Sequence, residues 1–192
     1  MCKTDPIKSK EDIDKLKNYF LANGHIRNYA MVSVALNTSL RISDLLQLKW
    51  EDVYDIRLQR FKKYIAITEQ KTGKKNCIAI NKEVKYALSM LKNSLTIVDE
   101  KEYIYKSRIG QNQPIARSTA FKIIKKAVYD LHMEGVISCH SLRKTFGYQA
   151  WKLGTPPALI MSIYNHSSME ITKRYLSIDQ DDKDAVFLDI NL

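Results

Sequence analysis

Four residues with complementary chemistry lie near the end of the chain. His140 and Arg143 stand three apart where a helix is predicted to begin, and His166 and Tyr175 follow within the next 32 residues. A phenol is a poor nucleophile near neutral pH, but a nearby base and a charge that stabilises the developing anion can activate it. A guanidinium matches two oxygens of a phosphate, and imidazole exchanges protons near pH 7. The set therefore indicates attack by a tyrosine on a phosphodiester, giving a phosphotyrosyl intermediate.

Each member of this set also has a plainer structural explanation. The chain contains 11 Tyr, so any single one is more often a packing residue than a nucleophile. A His-x-x-Arg pair is common on helix surfaces. A nucleophilic pair of Cys139 and His140 is conceivable, but adjacent residues do not face each other on a helix. The prediction depends on the combination and its spacing.

Three segments carry a resemblance to a known family. They are His140-Ser-Leu-Arg143-Lys-Thr-Phe, then Asn-His166-Ser-Ser, then Lys-Arg-Tyr175. In this order they resemble the second signature box of the tyrosine recombinases, the phage integrase family. The resemblance implies that Tyr175 attacks a DNA phosphodiester, forms a 3′-phosphotyrosyl bond and frees a 5′ hydroxyl. It also implies that His140 helps to deprotonate Tyr175 and that His166 hydrogen-bonds the phosphate.

Two upstream segments extend the resemblance. Thr-Ser-Leu-Arg41-Ile-Ser-Asp44-Leu resembles the family's first box, and Lys71-Thr-Gly resembles the lysine of its β-hairpin. The resemblance implies that Arg41, together with Arg143, binds the non-bridging oxygens and that Lys71 protonates the leaving 5′ oxygen. Asp44 takes a supporting role. Lys74 and Lys75 remain alternatives to Lys71, because loop lysines are usually only solvated.

The chain departs from the family pattern at three positions and in length. Ser39 and Asn165 stand where the family commonly has Gly, and Lys144 stands where it commonly has His. Typical integrases carry a helical core-binding domain before the catalytic domain, and 192 residues leave no room for it. Two explanations stay open: a piece of a longer protein, or a short recombinase.

Composition points to a polyanionic partner. The formal net charge is +10 with a pI near 9.4, which favours nucleic acid first and an anionic membrane second. Three widely spaced cysteines show neither a disulfide framework nor zinc-ligand spacing, and no apolar run is long enough for a membrane span. We expect a cytoplasmic, nucleoid-associated protein that needs no metal or other cofactor.

We expect double-stranded DNA as the partner, with no membrane. The free chain should be a monomer and should form a homotetramer on DNA, where accessory DNA-bending proteins could assist. A plain solvated face is the alternative for every basic residue outside the signature boxes. The candidate DNA-contacting residues are Lys74, Lys75, Arg117, Lys122, Lys125 and Lys126.

The elements that must position these residues are predicted to form an α+β domain, which is mainly helical with a small antiparallel hairpin. Helices are predicted over about 9–23, 26–37, 82–92, 118–133 and 140–153, with shorter ones after Ser43, Pro156 and Ser168. The hairpin covers about 61–80, and 103–105 is a possible short strand. Ser43 and Ser118 are predicted N-caps, and Phe121 and Leu159 are predicted to be buried. Tyr175 should end the last helix.

The last 14 residues have a different character. Residues 179–192 hold five Asp and one Lys, and four of the Asp precede the apolar group Val186, Phe187, Leu188 and Ile190. We therefore divide the chain into a catalytic domain, residues 1–178, and an acidic tail, residues 179–192. The tail is expected to dock on a neighbouring protomer, and packing on its own domain is the alternative.

These inferences predict a metal-independent, tyrosine-type site-specific recombinase acting in integration, excision or inversion. Two alternatives remain. One is DNA relaxation of the type IB topoisomerase kind, which shares the chemistry. The other is a DNA-binding regulator with a vestigial site.

Overall fold

The computed structural model describes residues 4–178 and 180–190, which form helices and two small antiparallel strand pairs. The helices are α1 (Lys10–Ala22), α2 (Ile26–Thr38), α3 (Ile42–Leu46), α4 (Trp50–Val53), α5 (Lys82–Asn93), α6 (Arg117–Asp130), α7 (Cys139–Lys152), α8 (Pro157–Tyr164), α9 (Met169–Leu176) and α10 (Gln180–Asp189). The strands are β1 (Tyr54–Asp55), β2 (Arg60–Phe61), β3 (Tyr64–Thr68) and β4 (Lys75–Ala79). The predicted fold class, mainly helical with a small antiparallel sheet, is confirmed.

Helix α2 is the centre of the main core. Its Ala30, Met31, Val32 and Val34 have no accessible surface. It packs against α1, α5 and α7, so a helix that is apolar on nearly every side is enclosed by neighbours. Because α2 ends immediately before Arg41 and α7 carries His140, this contact fixes two parts of the candidate site relative to each other.

A second, smaller core joins α7, α8 and α9. Ile160, Tyr164 and Leu176 are buried in it, and Phe146 and Trp151 pack against it. Gly147 of α7 lies where these helices meet: a Cβ there would come within 2.5 Å of the Tyr164 hydroxyl and 2.6 Å of Leu176. The missing side chain therefore permits the close approach that holds α9 against α7.

The predicted hairpin is formed by β3 and β4. Ile65 pairs with Ile78 in its antiparallel register, and Ile65 is completely buried. The turn passes through Gly73 at φ 66°, a left-handed conformation that favours glycine. The backbone N–H of Gln70 donates to Asp44 Oδ1 at 3.1 Å, so the base of the turn is attached to α3.

Three local predictions of the helix boundaries need comment. Ser9 does cap α1, accepting a hydrogen bond from the Asp12 amide. The predicted N-cap at Ser43 is wrong, because α3 begins at Ile42 and Arg41 occupies the cap position. The predicted N-cap at Ser118 is also wrong, because α6 begins at Arg117 after Ala116.

Two residues predicted to be buried are exposed. Phe121 is 48% exposed and faces the candidate site, while Leu159 of α8 is 52% exposed. Both fall at helical spacing with buried neighbours, but the helix rotation places them at the edge of the apolar stripe. Spacing alone does not distinguish the edge of a stripe from its centre.

The strand proposed at 103–105 and the end of the chain also differ from expectation. Tyr103 makes only an isolated bridge to Lys49, although Ile104 and Tyr105 are buried. The short β1–β2 pair was not predicted. Helix α10 follows the helix of Tyr175, which is therefore not the last.

Helix α10 contacts its own domain at its start. Asp182 accepts a hydrogen bond from the Tyr148 hydroxyl at 2.8 Å and pairs with Lys8 at 3.3 Å. Farther along, Phe187 and Leu188 are 77% and 78% exposed. The side chain of Val186 lies outside the described residues. Over the described ranges, we find no helix long and apolar enough to cross a bilayer.

Candidate active site

Five of the six predicted catalytic residues line one cleft of about 1720 Å³, and the sixth, His166, lies behind Tyr175 in ring contact with it. The cleft is larger than a typical small-molecule pocket, which measures roughly 300–1,000 Å³. Its wall combines segments far apart in the chain: the start of α3, the hairpin turn, the start of α7 and the end of α9. The predicted residues that line it are Arg41, Lys71, Arg117, His140, Arg143 and Tyr175.

The backbone before α3 places Arg41 at the N-terminal end of that helix. Ser39 adopts φ 53°, a left-handed conformation, which explains why glycine is suited to this position. The Ser39 carbonyl oxygen accepts a hydrogen bond from Arg143 Nη1. The two arginines are thus tied together through the chain segment that precedes one of them.

The hairpin supplies an acidic partner for Arg41. Arg41 Nη1 lies 2.6 Å from Glu69 Oε2, and the Glu69 side chain is only 1% exposed. Lys71 is exposed on the adjoining turn and lines the cleft. Arg41 therefore pairs with Glu69 and not with Asp44, the acidic residue three positions after it. Asp44 instead holds the base of the turn through Gln70.

Helix α7 begins with a capping box. The Ser138 side chain accepts a hydrogen bond from the His140 amide, and the Ser141 hydroxyl accepts one from the Ser138 amide. This cap fixes the first turn of α7, and His140 in that turn lines the cleft. Arg143, one turn farther on, is 4% exposed and directed inward. The i, i+3 spacing of these two residues is the reason that they were predicted to be neighbours on one helix face.

Tyr164 packs against Arg143 and His166. Its hydroxyl donates to the Arg143 carbonyl oxygen at 2.6 Å, and the Arg143 guanidinium lies 4.8 Å from the ring centroid. The ring stacks on His166 at an interplanar angle of 19°, with centroids 5.3 Å apart. Burial raises the pKa of Tyr164, so this phenol stays neutral. Its position favours a supporting role over that of nucleophile.

Tyr175 is packed among aromatic rings. Its centroid lies 5.1 Å from that of His140, 4.9 Å from His166 and 5.0 Å from Tyr164. The phenolic oxygen is buried, and within the described ranges no atom is at hydrogen-bonding geometry to it. Burial raises the pKa of Tyr175 to about 12, although the charge of Arg143 favours the phenolate and partly offsets that effect.

His140 is neutral near pH 7. Partial burial, together with the charges of Lys144, Arg143 and other cations, lowers the pKa of His140 to about 4. A neutral imidazole can accept a proton, whereas an imidazolium cannot. The ring of this neutral imidazole lies edge-to-face against the ring of Tyr175.

His166 is held by a residue of the nucleophile's own helix. Its Nδ1 lies 3.1 Å from Thr172 Oγ1, and Thr172 is 2% exposed. The hydroxyl has one proton, which goes either to the Ser168 carbonyl or to Nδ1. In the second arrangement Nε2–H is free to donate to a phosphate oxygen. Burial and the nearby arginines lower the pKa of His166, which favours the neutral ring.

Lys144, which departs from the family pattern, is buried close to the nucleophile. Its Nζ lies 5.3 Å from the Tyr175 ring centroid and donates to the Thr4 carbonyl oxygen at 2.6 Å. The Ile7 amide donates to Thr145 on the same helix at 2.8 Å. The N-terminal segment therefore runs along α7, beside the helix turn that carries the site residues.

The candidate DNA-contacting residues occupy different surroundings. Lys74, Lys75, Lys122 and Lys125 are exposed. Lys126 is also exposed but pairs with Asp130 at 2.9 Å. Of the six candidates outside the signature boxes, Arg117 lines the cleft, at the start of α6. Their contact with DNA remains a prediction.

Two further predictions concern cysteine and metal. Burial raises the pKa of Cys139 to about 11, which opposes formation of a thiolate. Its side chain is half-buried next to the capping turn. Cys2 lies outside the described residues. In the part of the chain that the structure covers, no three His, Cys, Asp or Glu residues are grouped closely enough to bind a metal ion.

Four residues of the site were not found from the sequence. Glu69 precedes the hairpin turn, Thr172 lies one helical turn before Tyr175, and Tyr164 precedes the Asn-His segment. Lys144 was noted only as a departure from the family. The spacing of Thr172 and Tyr175 was a usable signal, because residues three apart share a helix face. A charged residue at the end of a strand, such as Glu69, offers no such signal in the sequence.

Comparisons with known proteins agree on the family. The sequence model of the phage integrase family matches residues 9–181. A probable integrase/recombinase of Bacillus subtilis, YoeC, is 36% identical over 182 residues, which cover 95% of this chain and 94% of that protein.

Two solved structures share the fold. A crystal structure of XerA recombinase superimposes with a TM-score of 0.76 at 22% identity, covering 98% of this chain and 64% of that one. The post-cleavage complex of XerH site-specific recombinase with palindromic difH substrate gives 0.73 at 14% identity, covering 93% and 51%. The chain thus spans nearly all of the Bacillus protein and about half to two thirds of these two recombinases.

Proposed function

The chain belongs to the phage integrase family and is a tyrosine recombinase, and we propose that it performs site-specific DNA recombination with Tyr175 as its nucleophile. One observation carries the assignment of the site. Arg41, Lys71, His140, Arg143 and Tyr175 come from four separate elements and line a single cleft. The convergence of a phenol, an imidazole and several cations on one cleft supports the proposed roles.

The cleft suits a DNA phosphate as its occupant. Arg41 and Arg143 present guanidinium groups that match non-bridging oxygens, and His166 lies beside the nucleophile with its ring fixed. These groups neutralise the charge that grows on the phosphate as a fifth oxygen approaches phosphorus. The net charge of the chain adds a sequence-independent attraction to the DNA backbone.

The first strand-transfer step would proceed as follows. Tyr175 Oη forms a bond to phosphorus, and its proton passes to neutral His140. The bond from phosphorus to the 5′ oxygen breaks, and Lys71 gives that oxygen a proton. The products are a 3′-phosphotyrosyl link and a free 5′ hydroxyl.

The second step reverses the first with a different strand. A 5′ hydroxyl from the partner duplex attacks the phosphotyrosyl phosphorus and gives its proton to Lys71, which the first step left neutral. The bond from phosphorus to Tyr175 Oη breaks, and that oxygen takes back the proton held by His140. One phosphodiester is broken and one is formed, so the link to Tyr175 conserves the bond and no nucleotide is consumed. Positively charged side chains stabilise the transferring phosphate throughout.

Exchange between two duplexes requires several protomers. We propose that the protein assembles as a tetramer on DNA, in the cytoplasm and on the nucleoid. The acidic tail, residues 179–192, is the proposed docking segment, separate from the catalytic domain, residues 1–178. Its Phe187 and Leu188 are exposed, which supports docking on a neighbour. Asp182 contacts its own domain, which fits a helix anchored at one end. DNA-bending proteins could assist the assembly.

Recombination is tested on supercoiled plasmids that carry one or two copies of the DNA flanking the gene. The account predicts resolved or inverted products from the two-site plasmid in excess EDTA. Relaxation of the one-site plasmid, with no exchange from two sites, would instead support topoisomerase activity. Dependence on added Mg²⁺ would contradict the proposed mechanism.

A further inference from the structure

Glu69 is a buried acid at the edge of the cleft, and its burial has to be explained. Its side chain is 1% exposed, whereas glutamates are almost never fully buried unless they are paired. Burial opposes ionisation, but hydrogen bonds from Thr72 and Arg41 outweigh it and leave the pKa of Glu69 below its usual range. The residue is therefore a carboxylate in the free protein.

The two oxygens of this carboxylate face different elements. Oε2 accepts hydrogen bonds from Arg41 Nη1 at 2.6 Å and from the Thr72 hydroxyl at 2.7 Å. Oε1 accepts from Asn76 Nδ2 at 3.4 Å. One carboxylate thus joins the start of α3 to the hairpin turn and to the first part of β4.

The backbone of Glu69 closes the same turn. Its carbonyl oxygen accepts from the Gly73 amide at 2.8 Å, and its amide donates to the Lys74 carbonyl oxygen at 2.9 Å. Lys71 lies inside the loop that these bonds close, next to Thr72. The position of the lysine relative to Arg41 is therefore set by contacts that pass through Glu69.

We propose that Glu69 is a positioning residue for strand cleavage, which orients Arg41 and fixes the turn that carries Lys71. The inference rests on the proposed function for its catalytic consequence, but its structural part holds for the free protein. Glu69 occupies one side of the Arg41 guanidinium, so the remaining N–H groups are directed toward the cleft. The Thr72 hydroxyl, held by the same oxygen, keeps Lys71 at the distance at which it can reach a leaving 5′ oxygen.

The variants follow from the contacts. Thr72→Val removes the hydroxyl bonded to Oε2 and keeps the ion pair. Glu69→Gln weakens both contacts. Thr68→Val is the matched control, because Thr68 lies on the same hairpin, one residue before Glu69, and its side chain is exposed.

The first measurement is hydrogen exchange of amides 70–73 in the DNA-free protein, which does not depend on cleavage. The Lys74 amide is left out because it donates directly to the Thr72 hydroxyl at 3.3 Å. Both Thr72→Val and Glu69→Gln should accelerate exchange of these amides by roughly 5–10-fold, as expected for the loss of one net hydrogen bond. Thr68→Val should leave it unchanged. Equal protection in all variants would overturn the proposal, whether or not the chain cleaves DNA.

The second measurement is the single-turnover cleavage rate on two substrates, one natural and one with sulfur in place of the bridging 5′ oxygen. A sulfur leaving group scarcely needs a proton. Thr72→Val should be slower on the natural substrate by roughly 5–10-fold and should match wild type on the sulfur substrate. Glu69→Gln should be slow on both, because Arg41 is also disoriented.

Three results would overturn this second part. Thr72→Val could be equally slow on both substrates, which would exclude an effect through Lys71. Glu69→Gln could cleave at the wild-type rate, which would make the ion pair irrelevant. Faster cleavage by Glu69→Gln would show that the carboxylate withholds Arg41 from the phosphate. Absence of cleavage by wild type would contradict the proposed function instead, and the exchange experiment would still decide the structural claim.

Discussion

The rings of His140 and Tyr175 meet edge-to-face, with centroids 5.1 Å apart. One member is a neutral base with a pKa of about 4, and the other is a phenol with a pKa of about 12. At pH 7 only a fraction on the order of 10⁻⁵ of such a phenol is ionised. The proposed attack by Tyr175 therefore requires proton transfer as the bond to phosphorus forms, and we propose His140 as the acceptor.

This pairing predicts how cleavage depends on pH. His140 remains neutral and Tyr175 remains protonated from pH 7 to 9, so the single-turnover rate of wild type should be nearly flat in that range. Protonation of His140 removes the base, so the rate should fall as the pH approaches its low pKa. In His140→Ala the rate should drop by roughly 10²–10⁴-fold.

The remaining rate of His140→Ala should then rise with pH, because hydroxide replaces the missing base. His25→Ala, a change at another histidine in the loop before α2, is the control. A flat profile in His140→Ala, parallel to that of wild type, would assign the proton to another acceptor.

A second prediction concerns Thr172, which fixes His166 through a 3.1 Å contact. Thr172→Val should reduce cleavage by roughly fivefold, because about 1 kcal/mol of net hydrogen bonding is lost. Thr172→Ser keeps the hydroxyl and should retain most of the rate. If Thr172→Val cleaves at the wild-type rate while Thr172→Ser is slow, the methyl group and not the hydroxyl is what the site requires.

A third prediction tests Lys71 as the general acid. Lys71→Ala should be slow on natural DNA and should recover most of its rate when sulfur replaces the bridging 5′ oxygen. Lys74→Ala and Lys75→Ala, which change exposed neighbours on the same hairpin, should gain no such recovery. Recovery in one of these two variants and not in Lys71→Ala would assign the role of general acid to that other lysine.

A fourth prediction concerns the packing of the nucleophile's helix. Gly147→Ala would place a methyl group within 2.6 Å of Tyr164 and Leu176, so α9 must move away from α7. Overpacking of this kind costs roughly 1–3 kcal/mol, which corresponds to a fall in Tm of several degrees for a chain of this size. Cleavage should fall further than stability explains.

Leu153→Ala provides the comparison, because Leu153 follows the same helix and is 77% exposed. Its Tm and cleavage rate should match those of wild type. A Gly147→Ala protein with unchanged Tm and rate would show that the three helices can separate without consequence.

The sequence was most informative where a residue type and its spacing are both constrained by chemistry. His140 and Arg143 follow a Ser cap and share a helix face, and both line the cleft. The hairpin register also follows from alternating apolar residues, because Ile65 faces the core and its exposed neighbours do not. The family and the recombinase activity were implied by the resemblance that these motifs carry, and the mainly helical fold class also followed from the periodic patterns.

Contacts between distant segments could not be predicted, because they depend on the tertiary packing. Nothing in the sequence pairs Arg41 with Glu69, 28 residues away. Phe121 fits the apolar period of α6, yet tertiary packing turns it toward the cleft. The cap positions predicted at Ser43 and Ser118 are each wrong by two residues, within the usual uncertainty at helix ends.

The left-handed residues illustrate an intermediate case. Ser39 and Asn165 were noted because the family commonly has Gly at both positions. Their φ values of 53° and 55° give the reason, since glycine adopts this conformation without steric cost. A family pattern identified the positions, but only the backbone angles explain them.

The central claim is that Tyr175 becomes covalently attached to DNA. Wild type and Tyr175→Phe are incubated with a nicked duplex that carries the DNA flanking the gene, so that a short fragment is lost on cleavage and the link cannot reverse. The products are separated on a denaturing gel, and the modified peptide is identified by mass spectrometry. We expect a covalent adduct at Tyr175 in wild type, none in Tyr175→Phe, and nearly equal DNA affinity for both, because binding depends on other phosphate contacts. An adduct on Tyr164 or any other tyrosine, or one that persists in Tyr175→Phe, would contradict the account.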